Sequence, residues 1–200
     1  MRGSAAEPIG RSALRLFATV VVAGLLMSAG ACGRKSESEQ ASEWLAKGLN
    51  AHRAGHLAEA ASDYRQVLVH DPGNKYAYFN LGVIDQTNGA LASAESNYGL
   101  ALSADPNFVP ALFNLAIVET GLGNLNESID LYRRTIKLQP DYAEAHLNLG
   151  FALIDAGERK EGRQELALAV KLKPKLAERV EPAGSPKPAV SSSPSVSPSS

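Results

Sequence analysis

The chain has 200 residues, with 20 lysines and arginines against 21 aspartates and glutamates, and a single cysteine, Cys32. This balance leaves no basic stripe of the kind that counterion release requires, so a nucleic-acid partner is excluded. One cysteine excludes an intrachain disulfide framework, and the length accommodates one domain with tails.

At the N-terminus, Arg2, Arg11 and Arg15 precede an uncharged run from Leu16 to Gly33 rich in leucine and valine. This is the pattern of a secretory signal peptide, residues 1–31. The run closes on Ala29-Gly30-Ala31-Cys32 and so resembles the lipobox of bacterial lipoproteins. The resemblance implies cleavage before Cys32, acylation of its thiol and amine, and a membrane anchor without a spanning helix. Two other readings stay open: release after cleavage by an ordinary signal peptidase, and retention of the run as an uncleaved anchor barely long enough to span a bilayer. All three export the remainder of the chain. Gly33 stands where the lipoprotein family carries its aspartate signal for inner-membrane retention, which favours an outer-membrane or periplasmic location in a bacterial cell envelope. Residues 32–40 are polar and read as a tether, because Arg34 to Ser42 hold too little apolar surface to offset the entropy of ordering.

From residue 41 one outline recurs every 34 residues. A small residue recurs as Gly48, Gly82, Ala116 and Gly150, and a glycine as Gly55, Gly89, Gly123 and Gly157. A large residue recurs as Tyr64, Tyr98, Tyr132 and Leu166, and a proline as Pro72, Pro106, Pro140 and Pro174. Four units result: 41–74, 75–108, 109–142 and 143–176. Length and landmark order resemble the tetratricopeptide repeat (TPR) family. The resemblance implies an all-α fold, a right-handed superhelical solenoid of four helix-turn-helix repeats.

In unit two, Tyr78, Leu81, Gly82 and Asp85 share one face of a first helix ending at Gly89, and Ala94, Tyr98, Ala101 and Leu102 line the second. Gly82 lets the second helix approach so that Tyr98 covers the crossing, and Asp105-Pro106 stops it. Where the family favours alanine early in the second helix, units three and four carry Ser128 and Gly162, which predicts looser packing in unit four.

The fold lines its concave side with first helices. By the resemblance, the second, fifth, sixth, ninth, twelfth and thirteenth residues of each unit face that groove. The sixth forms a ladder of Asn80, Asn114 and Asn148, broken by Ala46 in unit one. The fifth supplies Leu45, Phe79, Phe113 and Leu147, and the ninth Leu49, Val83, Ile117 and Phe151. A carboxamide donates and accepts, so a ladder of them suits a peptide backbone of any sequence, with the apolar residues as pockets. The ladder is similar to the peptide-holding one in O-linked N-acetylglucosamine transferase. Asparagine is also common at this position in TPR units, where it can simply bond locally. The candidate groove is Phe79, Asn80, Val83, Phe113, Asn114, Ile117, Leu147, Asn148 and Phe151. A carboxylate clamp for chaperone tails is excluded, because Leu45, Leu49, Pro110 and Asn114 stand where it needs cations.

No catalytic, metal or cofactor site emerges. His52 and His56 are separated by the helix-ending Gly55, His70 and His146 repeat with no other ligand type, and Asp155, Glu158 and Glu161 surround a turn as solvated charges. Ser62 and Ser128 lack a base, and the glycines follow the repeat rather than cluster as a phosphate loop. After Pro174, Leu176 and Val180 are four apart and suit a short cap over the last repeat; residues 177–200 then run into a disordered proline- and serine-rich tail. The expected function is an exported, lipid-anchored, non-enzymatic scaffold that binds an extended peptide of a protein partner and helps assemble an envelope complex. The alternative is an accessory or regulatory subunit of a cell-wall or polysaccharide enzyme system.

Overall fold

The computed structural model describes residues 35–180. The signal-peptide reading, the lipidation position Cys32 and the tail from residue 181 lie outside the described residues. Eight helices are arranged in antiparallel pairs: α1 (Glu37–Arg53) with α2 (Leu57–His70), α3 (Lys75–Thr87) with α4 (Leu91–Ala104), α5 (Val109–Leu122) with α6 (Leu125–Leu138), and α7 (Ala143–Asp155) with α8 (Arg159–Leu172). A 3₁₀ turn (Pro174–Leu176) and one turn of helix, α9 (Ala177–Val180), close the described residues, which contain no strand. The pairs stack as a right-handed solenoid. α1 starts at Glu37, inside the stretch that polar composition assigns to the tether, and the Glu37 carboxylate meets His70 Nδ1 at 2.6 Å at the end of α2.

Two local devices define each pair. Gly55, Gly89, Gly123 and Gly157 adopt φ of 81°, 77°, 87° and 91°, a left-handed conformation that strains any residue with a Cβ. At the first of these, the Gly55 amide donates to the His52 carbonyl and the His56 amide to the Ala51 carbonyl, and this paired C-terminal cap recurs at each later glycine. The second helices stop before Pro72, Pro106, Pro140 and Pro174. The residue before each proline is extended, as at Asp105 with φ −145° and ψ 98°.

Packing within a pair centres on the tyrosine. Tyr64, Tyr98 and Tyr132 are fully buried. A Cβ on Gly82 would lie 2.6 Å from Tyr98 Cε1, and one on Gly48 2.7 Å from Tyr64 Cε1, so the missing side chain is what admits the ring. The last pair solves the crossing differently. A Cβ on Gly162 would sit 2.6 Å from the Gly150 carbonyl oxygen, and one on Gly150 2.8 Å from the Gly162 oxygen. Backbone meets backbone, so α7 and α8 pack closely here, and the looser packing expected from Gly162 is overturned: the glycine removes a methyl that would hold the helices apart.

Between pairs, a continuous apolar core runs from Phe79 through Leu112 and Tyr132 to Leu153. His146, buried on α7, ties the last two pairs: its Nδ1 lies 2.6 Å from Glu165 Oε2 on α8 and its Nε2 2.9 Å from the Pro140 carbonyl. The exposed end of the array is covered by Leu176, which buries against Leu147, Phe151 and Leu166 with Val180 beside it.

One ion pair also bridges successive loops. Lys75 Nζ and Asp105 Oδ2 are 2.6 Å apart, with the ammonium 5.0 Å from the Phe108 ring centre. The Lys75 hydrogen bond holds the Asp105 carboxyl below its ordinary 3.8, and the same bond holds Lys75 above 10.5. Asp105 is depressed, so its contribution is present at neutral pH and lost as pH falls through its folded value. Lys75 is raised, so its contribution is lost only as pH rises through its own. Both side chains are about a third exposed. A double-mutant cycle of Lys75→Met and Asp105→Asn should therefore give a coupling of about 0.5 kcal/mol at neutral pH. The coupling should fade as pH falls below 3.8 and through the lowered folded value of Asp105; a coupling undiminished once Asp105 is protonated would separate it from this charge pair.

Candidate functional site

A cavity of about 940 Å³ opens on the side formed by the first helices, across α3, α5 and α7. Its apolar wall is Phe79, Val109, Pro110, Phe113, Ile117 and Tyr142. Pro110 occupies the first turn of α5, where a missing backbone donor costs nothing, and so leaves Phe113 one turn on. The Phe113 and Tyr142 rings are tilted against each other with centres 4.7 Å apart, which fixes both. Leu138 and Leu172, the last residues of α6 and α8, stand on the rim at 42% and 39% exposure.

The polar lining is Asn114, Gln139, Asp141, Glu144, Asn148, Lys173 and Arg179. Lys173 Nζ donates to Glu144 Oε1. Burial opposes ionisation of Glu144, but that hydrogen bond, helped by the charges of Lys173 and Arg179, holds its carboxyl below the usual range. Burial, with the Glu144 charge second, pushes the Tyr142 phenol up to about 12, so it stays a neutral hydroxyl at any physiological pH.

Of the nine residues assigned to the groove from the sequence, Phe79, Phe113, Asn114, Ile117 and Asn148 line this cavity. Asn80, Val83, Leu147 and Phe151 do not. Leu147 and Phe151 lie under the C-terminal cap, in the cluster with Leu176. All nine are largely buried, because neighbouring pairs pack over the roots of these side chains.

The asparagines turn inward to the preceding tyrosine as much as outward. Asn80 Nδ2 donates to the Tyr76 carbonyl at 2.8 Å, one turn back on its own helix. Asn114 meets the Tyr98 phenol, whose hydroxyl donates to Gln86 Oε1 at 2.7 Å. Asn148 faces the Tyr132 hydroxyl beside Thr120, without strict hydrogen-bond geometry. Burial raises both phenols, so both remain protonated donors. Asn114 and Asn148 therefore face the tyrosine of the pair before them, whereas Asn80 bonds within its own helix, and only the first two reach the cavity.

Among the lining residues that the sequence-derived groove left out are Leu138, Leu172, Tyr142 and Arg179. Leu138 and Leu172 are 34 apart, a signal in the same period that defined the fold. Arg179 had no sequence signal, since its place depends on how the cap folds back. His52 lies 3.3 Å from the Tyr64 hydroxyl and His56 3.5 Å from the Glu59 carboxylate at the surface, which keeps the two histidines on separate duties. No group of three His, Cys, Asp or Glu side chains among the described residues could hold a metal ion. No helix among them is long and apolar enough to cross a membrane.

Paired helices with a glycine-capped turn, stacked with one period around a grooved face, define a helical-hairpin solenoid. The particular repeat is the tetratricopeptide repeat: a family model described as tetratricopeptide repeat matches residues 45–107 and another described as TPR repeat matches residues 118–157. The chain carries tetratricopeptide repeats. Among solved structures it is similar to the crystal structure of MamA, at 22% identity over 69% of this chain and 81% of that one, with a TM-score of 0.63. A MamA from Desulfovibrio magneticus RS-1 aligns at 18% identity over 66% of this chain and 75% of that one, TM-score 0.60. Pseudomonas aeruginosa pilF aligns at 20% identity over 70% of this chain and 64% of that one, TM-score 0.62. At these identities the likeness is one of fold. No curated protein matches the chain.

Proposed function

We propose that this chain is an exported, lipid-anchored TPR scaffold that holds an extended segment of a protein partner in the cavity of its first-helix face and helps assemble a complex of the bacterial envelope. The observation that carries the binding part is the cavity itself, with fixed aromatic rings on its wall and two exposed leucines on its rim. A concave site with apolar and aromatic walls and a few placed polar groups is the usual form of a binding site. The export and anchoring parts rest on the leader pattern and on Cys32 directly after small residues.

One experiment in envelopes tests both parts. A photo-crosslinking side chain at Leu138 or Leu172 should trap a discrete partner, whereas one at Leu168, which is exposed on α8 but does not line the cavity, should not. Intact mass of the chain from the membrane fraction should show residues 1–31 removed and Cys32 acylated. Adducts as strong from Leu168 as from the rim would reject the groove, and a chain still carrying residues 1–31 would reject the lipid anchor.

A further inference from the structure

We propose that Arg179 makes this groove selective for partner segments in which an aliphatic or aromatic residue is adjacent to an aspartate or glutamate, the acidic side chain taking the guanidinium and the apolar one the cavity wall. This rests on the proposed groove and names the chemistry of its ligand.

Arg179 lines the cavity from α9, and its Nη2 nitrogen is shielded from solvent with no hydrogen-bond acceptor among the described residues. An unmatched guanidinium donor is costly, and because the rest of the Arg179 side chain is part-exposed on the cavity, a carboxylate there can draw the fork toward it and match it. The other charges on the lining are accounted for. Lys173 is engaged by Glu144, and Glu144 in turn feels Arg179 only as a nearby charge, with no hydrogen bond between them. Asp141 is exposed to water and therefore screened. The lining thus offers an anion one part-buried charge-assisted contact and a cation only the exposed, solvent-screened Asp141.

The apolar half has its own basis. Tyr142 packed at a tilt on Phe113 and the exposed rim leucines Leu138 and Leu172 belong to the last two pairs, the same end as Arg179. In the earlier pairs the positions 34 and 68 residues before Leu138 are Ala104 and His70. Apolar contact and cation therefore converge at one end of the groove. The cavity continues back to Phe79 on α3, which leaves room for the partner chain on the side of the contact away from Arg179.

The test uses the full chain and an array of end-capped decapeptides, Gly-Ser in sequence except for a central Leu-Asp, Leu-Asn, Leu-Lys or Ser-Asp. Capping removes the terminal carboxylate, and a matching set with free C-termini measures it. We expect Leu-Asp to bind about tenfold or more tightly than Leu-Asn, as a charged hydrogen bond would give, and Ser-Asp to bind weakly. Arg179→Gln should erase the difference between Leu-Asp and Leu-Asn, and Arg179→Lys should retain part of it, with helicity unchanged in both. Equal binding of Leu-Asp and Leu-Asn, both lost in Leu138→Gln, overturns the acidic preference and leaves the groove standing. No binding by any peptide overturns the groove with it. A gain of binding only after deletion of residues 181–200 puts the chain's own tail in the cavity, and self-association abolished by Leu138→Gln puts a second copy there; either overturns the proposal. Preference for the free C-terminal set assigns Arg179 to a chain end and overturns it too.

Discussion

Tyr98→Ala should destabilise the array by about 4 kcal/mol, the range for deleting a large, fully buried aromatic side chain. The ring fills the space that Gly82 leaves, packs on Phe79 with ring centres 5.7 Å apart, and carries the hydroxyl that donates to Gln86 and meets Asn114 of the next pair. Tyr98→Phe keeps the packing and removes the hydroxyl, which should cost about 1–2 kcal/mol by leaving buried amides without their partner. Because stacked repeats are stabilised mainly by nearest neighbours, the loss should spread. Amide exchange should accelerate across α3 to α5 before it does in α7 and α8. Urea denaturation checks the magnitude, and an alanine variant within about 1 kcal/mol of the parent would contradict a tyrosine-centred crossing.

Gly162→Ala is the more discriminating substitution, because two effects of opposite sign compete. On helix propensity alone, replacing Gly162, the fourth residue of α8, by alanine should stabilise by up to about 1 kcal/mol. In this structure the new methyl would lie 2.6 Å from the Gly150 carbonyl oxygen and 3.2 Å from the Ile154 amide nitrogen. Backbone atoms of a packed helix cannot step aside as a side chain can, so α7 and α8 must separate. We expect a net loss of about 2 kcal/mol, typical of overpacking, and a melting temperature lower by several degrees. Gly82→Ala supplies the comparison. Its methyl would lie 2.6 Å from the buried Tyr98 ring rather than from backbone, and Ala116 beside Tyr132 shows that a shifted ring accommodates a methyl, so the loss should be smaller than at Gly162. A stabilised Gly162→Ala variant would show that the two helices are not held at this distance.

The site was legible in part, and its residues show why. Phe113, Asn114, Ile117 and Asn148 line the cavity at the unit positions that the family resemblance assigns to the groove. Asn80 and Val83 have the same spacing one repeat earlier, yet the cavity does not reach them. Burial at such positions is set by how far each pair is rotated onto the next, which no window of 34 residues encodes. Leu147 and Phe151 fall under the cap because Leu176 folds back over them.

The sequence by itself determined the period, the turn at every left-handed glycine, the stop before every proline and the tyrosine-for-glycine exchange at the crossings. Each of these is local chemistry: a conformation only glycine adopts cheaply, a missing donor, a volume filled by its neighbour. Only the tertiary structure decided which groove positions stay open, that Gly150 and Gly162 bring the last two helices together, and that Arg179 reaches the cavity wall. Those outcomes depend on contacts between residues far apart in the chain, where the packing of whole helices, and not the identity of any one residue, sets the distance.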